Sequence, residues 1–262
     1  MSSQPQSTPS AGTPTQEVRA EMMLPHEIEA ALTLRSVVYV PLGSIEYHGR
    51  HLPIGLDGLT AHGVCTGAAE QTGGIVLPTL WYGVGGGHTH YPWTIMARTP
   101  APLAELLERA LQRLSELAVG TAVLFTGHFA DEQLALIDDI AARWNAAGQD
   151  PRVLALSVSR TAAPVEPDHA GIFETTLLSA LWPNRVALEQ LPSLRDAPSV
   201  DPGGDVRGEH RHDPVHPLWG VMGPDPRAFD PDRAHELLHA IVTWTCNEVD
   251  RSAADGGGAR PG

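Results

Sequence analysis

Short apolar segments alternate with amphipathic helical patterns along most of this 262-residue chain, and this alternation limits its possible folds more than any other feature. The apolar segments cover residues 36–42, 75–77, 122–125 and 153–158, and the helical patterns cover residues 25–34, 58–71, 102–118, 131–147, 171–182 and 232–249. Strands without a polar face are typical of parallel sheets that are buried on both sides. The sequence therefore predicts an α/β fold in which helices cover both faces of a mostly parallel central sheet.

Two of the helical patterns support more detailed predictions. The pattern at 102–118 places five leucines on one face, which predicts the face that packs on the core: Leu103, Leu106, Leu107, Leu111 and Leu114. Asp57 directly precedes the pattern at 58–71, and a carboxylate in that place is expected to cap the helix.

The composition changes near both ends of the chain and once in between. Residues 1–18 are rich in Ser, Pro, Thr and Gln, and residues 252–262 are rich in Gly and Ala, so both are predicted to be disordered tails. A single folded domain is expected over residues 19–251. Within it, residues 190–231 are dense in Pro, Gly, Asp and His without periodicity, which is typical of a lid over a site or of an interface segment.

Charge and composition argue against several classes of partner. The formal net charge is −14, whereas nucleic acids and anionic membranes are bound through clustered Lys and Arg, so neither is expected as a partner. The chain has no apolar run of about 18 residues, which a membrane-spanning helix needs, and its first residues lack the pattern of a signal peptide. Its two cysteines, Cys65 and Cys246, are too few for a disulfide framework, and the protein is predicted to be cytoplasmic.

Four side chains that can bind a metal ion follow the first predicted strand. They are Glu46, His48, His51 and Asp57, in the segment GSIEYHGRHLPIGLD. Carboxylates and imidazoles suit zinc, manganese and iron(II), and open α/β folds place their sites at the carboxyl edge of the sheet. Residues two apart in an extended backbone point the same way, so Glu46 and His48 can face one cavity. Asp57 has a second oxygen with which it could bridge two ions.

Two later segments contain further candidates. His128 follows the strand at 122–125, and Asp168, His169 and Glu174 surround the start of the helical pattern at 171–182. Taken alone, His128 could equally cap the helix that follows it, and Glu174 could equally interact with the helix dipole. Counted together with the first segment, they indicate one metal site built from separate parts of the chain.

The same segments resemble the motifs of the creatininase family of metal-dependent amidohydrolases. GSIEYHGRHLPIGLD is similar to the family signature GSxEQHGPHLPLxTD, and YGVGGGHTHYPWTI, FTGHFAD and DHAGIFETT resemble three further family segments in the same order. GVMGPDPRAF, at residues 220–229, is similar to a family segment that precedes the last helix. The resemblance covers about residues 25–250.

This resemblance implies an α/β/α domain that forms homo-oligomers, often hexamers, and hydrolyses the C–N bond of a small-molecule amide, non-peptide or cyclic, at a metal centre. The implied cofactor is one or two divalent ions, with zinc first and manganese or iron as alternatives. Carried over residue by residue, the ligands are Glu46, His48, Asp57, His128 and Glu174, with Asp57 in the bridging place.

The ligand set predicts the chemistry. A divalent ion lowers the pKa of a water molecule toward 7, from about 15.7 in bulk water, and polarises the amide carbonyl that the water attacks. By resemblance, His169 lies close to the reacting amide, where it is expected to donate a proton to the leaving nitrogen, with Asp168 orienting it. His51 is expected to hold a ligand carboxylate in orientation.

Several positions depart from the family pattern. Ala130 stands where creatininase itself supplies a Glu ligand, Phe129 fills a position that is usually small, and Trp93 replaces a glycine. The aromatic residues Phe129, Trp93 and Tyr91 are expected to bind the substrate. His88 is expected to bind it as well, because it stands in the place of a family histidine that touches the substrate. A pocket reshaped in this way argues against creatinine itself.

Three alternatives to the hydrolysis of a small or cyclic amide stay open at this point. The protein could act on a formamide or a short peptide, it could form or dehydrate an amide in a biosynthetic step, or it could bind metal without catalysis. The histidines of the irregular segment, His210, His212 and His216, are interpreted as part of a lid or an intersubunit contact rather than as a further metal site.

Overall fold

Four parallel strands form the centre of the protein. The computed structural model describes residues 16–86, 90–198 and 213–256. The strands are β1 (Val37–Leu42), β2 (Ile75–Val76), β3 (Thr121–Thr126) and β4 (Arg152–Ser157), and they lie in the order β2-β1-β3-β4. Every neighbouring pair is parallel, which confirms the predicted sheet.

Six α-helices, counted over the described residues, cover the two faces of this sheet. They are α1 (Pro25–Leu34), α2 (Leu56–Thr72), α3 (Ala101–Glu116), α4 (Asp131–Ala146), α5 (Ile172–Leu181) and α6 (Ala234–Gly256). Helices α1, α3 and α4 pack on one face, and α2, α5 and α6 pack on the other. This is the predicted arrangement of three layers.

Successive residues of the inner strands point into opposite apolar layers. In β1, Val38 and Val40 pack with α3 and α4, whereas Tyr39 packs with α2 and α6. All six residues of β1 and all six of β3 are buried. Because both faces are apolar, the strands read as unbroken apolar runs in the sequence, and polar chemistry can be placed only at their ends.

The core-facing stripe of α3 is narrower than predicted. Leu103, Leu107, Leu111 and Leu114 are buried, but Leu106 is 50% exposed. At about 100° per residue, Leu106 lies roughly 60° from Leu103 on the side away from the other three leucines. It therefore sits at the edge of the stripe and faces solvent.

The expected capping role of Asp57 is wrong. Helix α2 begins at Leu56, its N-cap position is Gly55, and no side chain makes a capping hydrogen bond there. Asp57 belongs to the first turn of the helix and is 1% exposed. Its carboxylate is thus available to the residues that follow β1 and β3.

Both predicted tails overlap the described residues by a few positions. Val18 is buried, and its carbonyl oxygen accepts a hydrogen bond from the Val76 amide at 2.8 Å. At the other end, α6 continues through Gly256. None of the helices in the described ranges combines the length and the apolarity that crossing a membrane requires.

Two neighbouring leucines of α3 provide a test of this packing. Leu107 is fully buried, so Leu107→Ala should lower the free energy of unfolding by about 2–5 kcal/mol through lost burial and the cavity left behind. Leu106→Ala is the matched control and should change it by less than about 1 kcal/mol. Urea unfolding measures both values, and equal losses would show that the buried face has been assigned wrongly.

Candidate metal centre

The carboxyl ends of β1 and β3 pack backbone against backbone on the first turn of α2. A Cβ atom at Gly43 would lie 2.3 Å from the backbone nitrogen of Gly58, and one at Gly127 would lie 2.1 Å from the carbonyl oxygen of Asp57. Neither position can hold a side chain, because Cβ atoms essentially never approach other atoms within 3.0 Å. The two glycines thus let both strand ends reach Asp57.

Five side chains meet at this edge of the sheet, and we call them the acid–imidazole cluster: Glu46, His48, Asp57, His128 and Glu174. His128 Nδ1 lies 3.0 Å from Glu46 Oε2 and 3.2 Å from Asp57 Oδ2. His48 Nε2 lies 3.1 Å from Asp57 Oδ1 and 3.6 Å from Glu174 Oε2. All five residues are buried, with at most 5% exposure. The structure therefore brings together the five ligands implied by the resemblance, from three separate segments of the chain.

The cluster divides into two groups that share Asp57. Glu46, Asp57 and His128 form the first group, and His48, Asp57 and Glu174 form the second. Within each group the potential ligand atoms lie within 4.8 Å of one another. Asp57 faces the first group with Oδ2 and the second with Oδ1. A carboxylate shared in this way is typical of sites that hold two cations.

Two buried ligand atoms of the second group face each other without a hydrogen bond. Among the described residues, His48 Nε2 and Asp57 Oδ1 have no hydrogen-bond partner. His48 Nδ1 lies 3.0 Å from the carbonyl oxygen of Glu46, and since a carbonyl only accepts, Nδ1 carries the hydrogen. In the neutral ring, the lone pair of Nε2 then points toward Asp57 and Glu174. Buried acceptors that face one another in this way fit a divalent cation between them.

Charges within the cluster decide which groups hold protons when no cation is bound. Burial lowers the pKa of His48, but Asp57 and Glu174 outweigh this effect and raise it to about 10. Burial likewise opposes the charged form of His128, but its contacts with Asp57 and Glu46 raise its pKa to about 10. Burial raises the pKa of Glu174 well above its usual value. A metal ion must therefore displace protons from the imidazoles.

Asp57 titrates in the opposite direction. Burial by itself would raise the pKa of its carboxyl, but the imidazoles of His48 and His128 lower it below the usual range. The shared carboxylate is thus ionised, as a metal ligand must be.

Asp168 lies under the first turn of α5. Its carboxylate accepts hydrogen bonds from the backbone amides of Gly171 at 3.0 Å, Phe173 at 2.8 Å and Glu174 at 3.4 Å. Burial raises the pKa of Asp168 to about 7, against the effect of these hydrogen bonds. The bonds tie Asp168 to the helix that presents Glu174, which differs from its expected role of orienting His169.

His169 lies beside the cluster, and the backbone determines which of its nitrogens can accept a proton. Its Nε2 lies 3.1 Å from the carbonyl oxygen of Tyr47 and therefore carries a hydrogen, which leaves Nδ1 as the acceptor in the neutral ring. The ring centroids of His48 and His169 are 4.5 Å apart. The His169 ring thus lies directly beside the cluster.

His51 was expected to hold a ligand carboxylate in orientation, but its Nε2 does not contact one. That nitrogen lies 3.1 Å from Thr175 Oγ1, and His51 is 1% exposed. Thr175 follows Glu174 in α5, so His51 braces the helix that carries the carboxylate rather than the carboxylate itself.

A cavity of about 440 Å³ opens onto the cluster. Its lining includes Glu46, His128 and Glu174 from the cluster, together with His169, Phe129, Pro167 and Met222. Phe129 thus lines the same cavity as three members of the cluster. Met222 belongs to the irregular segment, and its backbone exchanges two hydrogen bonds with that of His169, at 2.9 and 2.8 Å. Part of that segment therefore forms a wall of the cavity.

Tyr91 and Trp93, which were also expected to bind the substrate, are not among the described residues that line this cavity. Tyr91 is 2% exposed and packs against Tyr47 and Trp219, with ring centroids 5.7 and 5.2 Å apart. Trp93 is 76% exposed. Both placements differ from the expectation, because the aromatic packing of Tyr91 and the solvent exposure of Trp93 direct them away from the cluster. His88 lies outside the described residues.

Of the three histidines in the irregular segment, His210 and His212 lie outside the described residues. His216 is described, and its Nδ1 accepts a hydrogen bond from the Leu218 amide at 3.1 Å. Within the described part of the chain, His216 belongs to none of the groups that could hold a metal ion.

Sequence reasoning missed two residues of the site. Ser44 is fully buried, and its hydroxyl donates to Asp57 Oδ2 at 2.6 Å. Its position inside the first motif was the available signal, but serine is not a typical metal ligand, and its role depends on a residue 13 positions away. Met222 lies in a segment without periodicity, and nothing in its local sequence indicates that it lines a cavity.

Comparison with known proteins finds relatives along most of the chain. The creatininase family, described as creatinine amidohydrolase, matches residues 21–249. The creatinine amidohydrolase of Pseudomonas putida is 29% identical over 192 residues, 65% of this chain and 73% of that protein. The mycofactocin precursor peptide peptidase of Mycolicibacterium smegmatis is 30% identical over 171 residues, 63% of this chain and 66% of that protein.

Solved structures agree with the sequence comparisons. Two creatininase structures, one of them named as creatininase Mn, are each 26% identical to this chain. They superpose with TM-scores of 0.71 and 0.70, and the match covers 90% of this chain and 98% of theirs.

The raised pKa values of His48 and His128 predict how the stability of the metal-free protein depends on pH. The folded protein keeps both imidazoles protonated to about pH 10, whereas free imidazoles lose their protons near 6.5. Their contribution to stability is complete below pH 6.5 and is lost as the pH rises toward 10. The raised pKa of Glu174 acts in the same direction.

Urea unfolding in the presence of a chelator should therefore give a lower free energy of unfolding at about pH 9 than at about pH 7. His128→Gln removes one of the two raised imidazoles and should reduce the difference. Stability that is constant or rises over this range would contradict the proton assignment.

Proposed function

The chain belongs to the creatininase family, and from this premise we propose that it is a metal-dependent hydrolase that cleaves the C–N bond of a small or cyclic amide. The observation that carries the proposal is the acid–imidazole cluster, in which two ligand groups share Asp57 beside a cavity that His169 also lines. Burying several carboxylates together in one site lowers the stability of a protein. Their presence therefore favours a functional site.

The first cation position is assigned to Glu46, Asp57 and His128, and the second to His48, Asp57 and Glu174. These carboxylate and imidazole ligands suit zinc, manganese or iron(II). A divalent cation held by these residues would supply Lewis-acid activation of a water molecule and of the amide carbonyl. Ser44 supports the carboxylate of Asp57 that the two groups share, because its hydroxyl donates to Asp57 Oδ2 at 2.6 Å and so restricts its orientation.

His169 moves a proton at Nδ1 in this proposal. The Tyr47 carbonyl holds the hydrogen on Nε2, so the neutral ring can take up a proton at Nδ1 from the attacking water. It then donates that proton to the leaving nitrogen, which would otherwise depart as a poorly stabilised anion. Asp168 accepts hydrogen bonds from the backbone at the start of α5 and thereby supports Glu174.

The size of the cavity suits a small molecule or the end of a peptide chain. Its volume of about 440 Å³ lies in the range of roughly 300–1,000 Å³ that is typical of ligand pockets. Phe129, Pro167 and Met222 form apolar walls, and the cluster and His169 supply polar groups. An amide with an apolar part beside its carbonyl would match this distribution.

Cleavage of a short peptide is the second candidate function. The relative in M. smegmatis, 30% identical to this chain, is named a mycofactocin precursor peptide peptidase. Both reactions would use the same cluster and the same histidine, so the metal centre does not distinguish between them. Assays with creatinine, other cyclic amides, formamides and short peptides, followed in the hydrolytic and the condensing direction, would separate them.

Removing a ligand side chain tests the metal assignment. Glu46→Ala, Asp57→Ala and His128→Ala should each lower metal content and hydrolysis more than about 100-fold, beyond the loss expected for residues that only support ligands. Asp131→Ala is the control for metal content, because Asp131 lines the same cavity without belonging to the cluster. Elemental analysis, circular dichroism and the substrate panel measure metal, fold and activity. Full metal content in the Asp57 variant would overturn the assignment.

Replacing His169 tests the proton transfer. His169→Ala should lower kcat by roughly 10²–10⁴-fold, the usual contribution of general acid–base catalysis, while the metal content stays unchanged. The metal measurement matters because a ring nitrogen of His169 also lies within 4.8 Å of ligand atoms of Glu46 and His48. A variant with full turnover has no need of this acid, and a variant that loses metal would make His169 a ligand instead.

A further inference from the structure

We infer that Thr126 and Gln133 are positioning residues for the metal centre. A hydrogen-bond chain through their side chains holds His128 in its orientation toward Glu46 and Asp57. The inference rests on the proposed function, because it concerns the cation position that contains His128.

The hydrogen-bond chain is continuous from a loop to the ligand. The Val84 amide donates to Gln133 Oε1 at 2.9 Å, Gln133 Nε2 donates to Thr126 Oγ1 at 2.7 Å, and the Thr126 hydroxyl donates to the His128 carbonyl oxygen at 2.6 Å. Gln133 Nε2 also lies 3.4 Å from the carbonyl oxygen of Gly43. One side chain of α4 thus contacts the ends of β1 and β3 and the loop after β2.

Solvent does not compete for these hydrogen bonds. Thr126 and Gln133 are both 0% exposed. Space around the amide is tight, because a Cβ atom at Gly83 would lie 2.8 Å from Gln133 Oε1. A buried donor or acceptor that loses its partner bears its full desolvation cost, so the members of the chain are held in one arrangement.

The chain acts on His128 because β3 ends just before this residue. The Gly127 amide still donates to the Leu42 carbonyl oxygen at 2.9 Å, as a continuation of the sheet. The next contact is the hydroxyl of Thr126, which holds the carbonyl of His128. With the backbone held on both sides of the residue, its Nδ1 is directed to the atoms 3.0 and 3.2 Å away on Glu46 and Asp57.

The same chain reaches the wall of the cavity. Gln133 accepts the hydrogen bond of the Val84 amide. Val84 lies two residues before Gly86, which lines the cavity. The chain as described includes no atom of His48 or Glu174. It should therefore affect the first cation position and spare the second.

Three threonine variants test this inference. Thr126→Val keeps the shape of the side chain and removes the hydroxyl, whereas Thr126→Ser keeps the hydroxyl. Thr121→Val is the matched control at the other end of the same strand, where Thr121 is also buried, at 8% exposure. Calorimetric titration of the metal-free proteins with Mn²⁺ measures binding, and urea unfolding measures the stability of each metal-free protein separately. His128→Ala identifies the binding event that belongs to the first position.

Thr126→Val should weaken that binding event by about 10–100-fold, the usual effect of removing a group that orients a ligand, and leave any second event unchanged. Thr126→Ser and Thr121→Val should bind as the wild type does. If Thr126→Val does not fold, Gln133→Glu takes its place, since it keeps an acceptor for the Val84 amide but loses the donor to Thr126, and the same weakening is expected.

The two ways of failing are distinct. A wild-type protein that binds no Mn²⁺, Zn²⁺ or Fe²⁺ would overturn the proposed function. A wild type that binds metal while Thr126→Val binds it equally well, or loses both events to the same extent, would overturn the positioning role alone.

Discussion

Three carboxylates buried within a few ångströms of two imidazoles are the constraint on which the rest of this structure depends. Glu46, Asp57 and Glu174 are at most 2% exposed, and burying unpaired charges costs more free energy than a domain usually has to spare. His48 and His128 can offset two of the three negative charges when protonated. Divalent cations in the two groups that share Asp57 would offset all of them. The buried carboxylates and imidazoles are therefore arranged in a way that suits divalent cations.

The fold reduces the cost of this arrangement through its helices. Asp57 lies in the first turn of α2, and Glu174 lies in the first turn of α5. The amino-terminal ends of helices carry partial positive charge and stabilise carboxylates nearby. The parallel sheet brings both helix starts to the edge where β1 and β3 end, and Gly43 and Gly127 let the backbones meet there. Sheet topology, helix direction and the lack of a side chain at two positions thus act together on one carboxylate.

Patterns in the local sequence predicted the fold elements of this protein better than the contacts of individual side chains. The apolar runs at β1 and β3 indicated a sheet buried on both faces. Successive residues of a strand point into opposite layers, and both layers are apolar here. The helical periodicity of α3 was right for four leucines and wrong for Leu106. A pattern in the sequence does not show how much of an apolar helix face the neighbouring elements will cover. The motif after β1 contains three of the five ligands that the family resemblance implies, namely Glu46, His48 and Asp57. Asp57 was nevertheless expected to cap α2, and His51 to orient a carboxylate, because a sequence does not show which partner a polar side chain will meet.

The sequence by itself determined the class of fold, the order of its elements and the set of side chains available for metal chemistry. These follow from periodicity and from residue types that lie close together along the chain. The tertiary structure alone decided that each oxygen of Asp57 faces a different imidazole, that Tyr91 packs against Trp219 instead of lining the cavity, and that Gln133 reaches Thr126 and Val84. Such choices depend on distances and angles between segments far apart in sequence, and these are set only when the helices and the sheet have packed against one another.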